Sequence, residues 1–102
     1  MAHYRVIILP RAAADLEGIY QRIARDSPRN AASMVSRILD ALQPLAEFPH
    51  RTVFEWKNPG LRHPVRSLPV RPYTIFFRVL EDQGIVRVLH VRHSARKAPR
   101  RL

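Results

Sequence analysis

The chain contains no cysteine. Disulfides and thiolate metal sites are therefore excluded, and the composition suits a reducing compartment, with a cytoplasmic location the expectation. Glycine is scarce, with only Gly18, Gly60 and Gly84, too few and too scattered for a phosphate-cradling loop. No serine sits in a nucleophile elbow. Long apolar runs are missing too. Val6–Leu9 is too short for the apolar core of a signal peptide and runs into Pro10, and nothing approaches the length of a membrane span. Lysine is nearly absent, two residues against sixteen arginines. Acidic residues are scarce in one half only: residues 57–102 hold eleven Lys/Arg against Glu81 and Asp82, whereas residues 1–56 hold seven Arg and six Asp/Glu.

Arginine carries a planar donor fork that matches phosphates and carboxylates, so a basic half built from it points to an anionic partner, nucleic acid or an acidic protein segment. With 102 residues, 46% of them hydrophobic, the expectation is one domain spanning 1–102 with a single modest core and a loose basic tail at 94–102.

His3–Leu9 reads as a strand. Pro10 ends it and starts a helix over Arg11–Arg25, in which Ala12, Leu16, Ile19, Tyr20 and Ile23 recur at helical spacing. Asp15 and Glu17 lie toward its positive end, Arg22 and Arg25 toward the other. Ser27-Pro28 forms a cap and restart. The second helix carries the seam Ala31, Val35, Ile38, Leu42, Leu45, and Pro44 should kink or end it. Residues 49–64 hold Pro49, Pro59, Pro64 and Gly60 and read as a loop with a short extended piece at Thr52–Trp56. Val65–Val70 is a short strand whose Pro69 requires a sheet edge. Tyr73–Leu80 and Ile85–Val91 are the strongest strands.

If Glu81-Asp82-Gln83-Gly84 closes a hairpin, Leu80 faces Ile85 and the pairing continues Val79–Val86, Arg78–Arg87, Phe77–Val88, Phe76–Leu89, Ile75–His90. One face then carries Ile75, Phe77, Val79, Val86 and Val88 and should lie on the helices. The opposite face carries Thr74, Phe76, Arg78, Leu80, Ile85, Arg87, Leu89, Val91 and His93. Arg78 opposite Arg87 is a like-charge pair that needs water or an anion to screen it. Splaying into solvent, or pairing with Glu81 and Asp82, is an equal alternative for these two residues. The surrounding apolar residues predict a bare face that a protein partner covers.

Metal and cofactor chemistry are not implied. His90 and His93 lie three apart on a strand and point to opposite faces, and His3, His50 and His63 are isolated, as expected of surface histidines. The helix acids, Asp15 among them, read as a solvated surface. One chemistry survives, metal-free RNA cleavage, for which Arg71, Tyr73, Arg78, Arg87, His90, Arg92 and His93 are suitable types, with His93 the best-placed acid or base.

In order and spacing, ILPRAAADLEGIYQRIARDSP, AEFP and LPVRPYTIFFRVLEDQGIVRVLHVRH make the chain resemble the RelE/ParE toxins of bacterial type II toxin–antitoxin systems, which serve in plasmid stabilisation. The resemblance implies an α+β fold: an N-terminal strand, an antiparallel helical hairpin, then three antiparallel strands in one small sheet. It implies a cognate antitoxin that wraps and neutralises the toxin and carries it to operator DNA, with no membrane partner. RelE-like members cut mRNA on the ribosome, and ParE-like members inhibit DNA gyrase. The nucleases tend to place an arginine where this chain has Thr74, after Tyr73, and the ending LHVRHSAR is similar to that of the ParE branch, bringing Arg92 and Arg96 into the candidate face. A ParE-like gyrase inhibitor is thus the expectation. The alternatives are a ribosome-dependent endonuclease using His93, and an inactive homologue that binds antitoxin and operator. The chain departs from the family in Pro44 and in HRTVFEWKNPG, whose Trp56 reads as a wedge over the core edge.

Overall fold

The computed structural model describes residues 3–56 and 63–95, with the backbone alone described for 53–56. Strand β1 (Arg5–Ile8) leads into helices α1 (Pro10–Ala24) and α2 (Pro28–Leu42). Strands β2 (Val53–Trp56), β3 (Val65–Val70), β4 (Tyr73–Leu80) and β5 (Ile85–His93) follow. They form one sheet in the order β1-β5-β4-β3-β2, in which β1 runs parallel to β5 and the other neighbours are antiparallel. The expected α+β architecture is present, and the extended piece at Thr52–Trp56 adds an outer strand.

Local chemistry accounts for the helix limits. Pro10 and Pro28 each open a helix, where the missing N–H costs nothing. Ser27 Oγ accepts the Asn30 N–H at 3.2 Å, as a capping residue should. Asp15 and Glu17 fall beyond the first turn of α1, so they do little for its dipole. Pro44 acts as expected: α2 stops at Leu42 and the chain tightens into a 3₁₀ segment at Gln43–Ala46.

The helical hairpin lies on one face of the sheet. Ile19, Ile38, Leu42 and Leu45 meet Ile75, Phe77, Val79, Val86 and Val88 in the main core. Met34, outside the predicted seam, is buried with them, whereas Val35 is only partly buried. Pro69 does not lie on an edge strand, because β2 flanks β3. However, β2 pairs only with Val65–Ser67, so Pro69 sits past its reach and no ladder bond is lost.

The β4–β5 hairpin closes as expected through Glu81–Gln83 and Gly84, whose φ of 63° is the left-handed conformation that glycine adopts without strain. The register runs as predicted from Leu80↔Ile85 to Phe77↔Val88. It then shifts by one: Phe76 pairs with His90, Ile75 with Val91, Thr74 with Arg92 and Tyr73 with His93. Leu89 is the extra residue of a β-bulge. The expected pairs Phe76–Leu89 and Ile75–His90 do not form.

Candidate binding face and the strand end at His93

The bulge redistributes the candidate residues between faces. Val91 and His93, expected on the open face, fall on the helix side. Val91 is buried in the main core, and His93 stands opposite Tyr73 with ring centroids 5.5 Å apart in an edge-on arrangement. The reason is steric arithmetic: one extra residue flips every later side chain of the strand. Tyr73 is likewise a buried core residue rather than an open-face contact.

Thr74, Phe76, Arg78, Leu80, Arg87 and Leu89 remain on the open face. That face is not the bare apolar surface expected. Phe76, Leu80 and Leu89 are at most 7% exposed, and Val65, Phe76 and Leu89 form a second small cluster with Leu9 packed against it. Arg78 and Arg87, on the same face, are themselves half-buried. Among the described residues the exposed large apolar side chains are instead Leu39 and Phe48.

Arg78 and Arg87 do face each other. Glu81 pairs elsewhere: Tyr4 Oη donates to Oε2 at 2.8 Å and His50 Nε2 lies 2.7 Å from Oε1. Arg66 completes this cluster, 3.3 Å from His50 Nδ1 and donating to the Thr52 carbonyl. The hydrogen bond to Glu81 raises the Tyr4 pKa, and burial lowers that of Arg66. His50, expected to be isolated, is thus a junction between the start of β1, the 3₁₀ turn at Pro49–Arg51, β3 and the hairpin turn.

At the far end, β1 stops opposite Val88 and α1 replaces it as the neighbour of β5. Asp15, expected in solvent, accepts the Val91 N–H at 2.9 Å and lies 3.5 Å from Nδ1 of buried His90. Burial holds the His90 pKa below the ordinary histidine value against the attraction of Asp15. Sequence reasoning missed this carboxylate. A pocket of about 260 Å³ lies beside it, lined by Asp15, Gly18, Arg22, Tyr73 and His93 among others.

Around the strand end, His93 shares a second pocket of about 440 Å³ with Arg71, Thr74 and Ser94. Thr74 Oγ1 bonds Ser94 Oγ at 2.9 Å, and the Ala95 N–H donates to His93 Nδ1. Arg71 is exposed, and its carbonyl accepts from Arg37. Arg92 is half-buried opposite Thr74. The other basic candidates are remote: the Arg78–Arg87 row lies five positions along β4 from Tyr73–His93, about 17 Å away and on the opposite face. Arg96, the rest of the tail at 96–102, the 57–62 loop and the side chain of Trp56 lie outside the described residues. Among the described residues no group of three potential metal ligands converges, and no helix is long and apolar enough to cross a membrane.

A strand, a helical hairpin and a mixed sheet with basic residues on the face away from the helices define a small α+β toxin of the RelE/ParE kind. The sequence matches the family described as the ParE toxin of the type II toxin–antitoxin system parDE over residues 6–98, and the chain belongs to that family. It is 37% identical to the toxin RelE2 of Caulobacter vibrioides, over 84% of this chain and 90% of that one. Its fold is similar to a chain of the chromosomal ParDE system of P. aeruginosa, with a TM-score of 0.74 at 24% identity, covering 91% of this chain and 98% of that chain. A chain of the RelBE2 toxin–antitoxin complex of Mycobacterium tuberculosis gives a TM-score of 0.61 at 22% identity, covering 89% and 98%.

Proposed function

We propose that this toxin is held neutral by a cognate antitoxin and that, when free, it acts in the ParE manner, inhibiting DNA gyrase by binding rather than by cutting RNA. The observation that carries this reading is the separation of His93 from the Arg78–Arg87 pair, on opposite faces and about 17 Å apart. Metal-free RNA cleavage needs its acid, base and phosphate-binding cations within reach of one phosphate. Thr74 removes a further cation, since its hydroxyl is tied to Ser94 where the nucleases tend to carry arginine.

One observation favours the second reading, a ribosome-dependent endonuclease: His93 and Arg71 line one pocket. Two assays on the toxin freed from its antitoxin decide between them. Inhibition of gyrase supercoiling with mRNA left intact supports the proposal. Site-specific mRNA cuts with supercoiling unaffected would sink it, and inactivity in both assays would favour an inactive homologue that only binds its antitoxin.

A further inference from the structure

Arg78 and Arg87 stand at the centre of a row that crosses four strands, Ile7, Arg87, Arg78, Val65. Along the strands their same-face neighbours are Phe76 and Leu80 on β4, and Ile85 and Leu89 on β5. The pair is therefore ringed by hydrocarbon. Two guanidiniums in register destabilise a sheet, and Glu81, beside them at the hairpin turn, is held by Tyr4 and His50. Arg78 Nε is buried and makes no hydrogen bond. A buried donor left without a partner is costly, and each such group in a folded protein calls for a specific explanation, a bound water or ion among them.

We infer that Arg78 and Arg87 together form a seat for a single carboxylate, an Asp or Glu side chain of the antitoxin. This rests on the reading of the chain as an antitoxin-bound toxin. A nucleic-acid backbone fits less well, because successive phosphates call for cations in series. Among the described residues Arg5, on the edge strand and exposed, is the cation that flanks the pair on this face, and Arg92 lies farther along β5 opposite Thr74. An acidic residue flanked by apolar ones matches the pattern: a carboxylate takes one fork from each arginine, and hydrocarbon around it excludes water. Arg5 at the rim would steer association without holding the complex.

The probe is the antitoxin expressed from the reading frame beside the toxin's own, titrated against the full-length chain. Arg78→Gln and Arg87→Gln should each weaken binding by about 30-fold, mainly through faster dissociation. The double variant should be little worse than either single, because both arginines serve one carboxylate. Arg5→Gln should cost less than about threefold. The free chain supplies the control against misfolding. Relief of the like-charge pair should raise the thermal midpoint of each Gln variant by about 2–4 °C, so stability and affinity move in opposite directions.

Multiplicative losses in the double variant, losses no larger than that of Arg5→Gln, or a fall in both midpoint and affinity would overturn the inference. Loss of DNA or RNA binding with antitoxin affinity intact would overturn it as well, in favour of a phosphate. A wild-type chain that binds no antitoxin would defeat the toxin–antitoxin reading itself. A wild-type complex indifferent to both substitutions would defeat the carboxylate seat alone.

Discussion

The two halves of the β4–β5 hairpin, divided at Leu89, are built on different rules. In the turn half, side chains alternate strictly, β1 supplies the outer neighbour of β5, and Glu81 is locked by Tyr4 and His50. In the far half the alternation is displaced by the bulge, β1 has ended, and α1 takes over as neighbour through the Asp15 carboxylate. The turn half presents the cation pair Arg78–Arg87. The far half presents His93 beside Tyr73 and Arg71, on the other side of the sheet. One inserted residue thus sets on opposite faces groups that strict alternation would have put on one face, His93 and the Arg78–Arg87 pair. A bulge can decide function by deciding which side chains share a face.

The largest test of this division strikes the last residue pair before the bulge. Phe77 is fully buried against Val88 and the helices. Phe77→Ala should cost about 3–5 kcal/mol in urea unfolding, because the cavity adds to the lost burial. A loss near 1 kcal/mol would mean that the core is not anchored in the turn half.

The far half should respond to Asp15. Asp15→Ala removes the acceptor of the Val91 N–H and should cost about 1–3 kcal/mol. Asp15→Asn, which keeps a carbonyl acceptor, should cost clearly less. Equal losses would show that the charge beside His90 matters more than the hydrogen bond.

His90 supplies a smaller, pH-dependent effect confined to the same half. Its pKa is lowered chiefly by desolvation, with Arg11 and Arg92 acting in the same direction and Asp15 against it. Protonation therefore favours the unfolded chain. The contribution of His90 is complete above about pH 6.5 and is lost as pH falls below that value. Thermal midpoints at pH 7.5 and 5.5 should differ less in His90→Gln than in the parent. An unchanged difference would place His90 in a solvated setting.

Gly18 gives the smallest effect and the opposite sign. A methyl group there meets nothing within 4 Å, so Gly18→Ala should stabilise α1 by about 0.5–1 kcal/mol. A measurable loss would mean that the pocket between α1 and His93 is more closely filled.

Much of this was legible in the sequence, and what was not has a physical cause. Pro10, Ser27-Pro28 and Pro44 mark helix limits through backbone chemistry that tertiary context does not override, and all three act as read. The core face Ile75, Phe77, Val79, Val86, Val88 and the Arg78–Arg87 pair follow from alternation counted outward from Gly84. The bulge escaped because β5 is apolar on both faces, so periodicity does not register a one-residue slip. Its trace was His90, which strict alternation would have set among core hydrocarbons opposite Ile75. The role of Asp15 was hidden because helical spacing does not reveal that a neighbouring strand has ended. The Tyr4–His50–Glu81–Arg66 cluster joins parts of the chain too distant in sequence for any local pattern to connect.

The central claim is that this toxin acts by binding, with His93 outside any catalytic assembly. It is tested most directly by comparing wild-type and His93→Ala toxins, each freed from antitoxin, for gyrase supercoiling and for mRNA cut sites during induced expression. The account predicts that His93→Ala inhibits supercoiling with the potency of the wild type and that neither protein produces specific mRNA cuts. Specific cuts by the wild type that vanish in His93→Ala would contradict it.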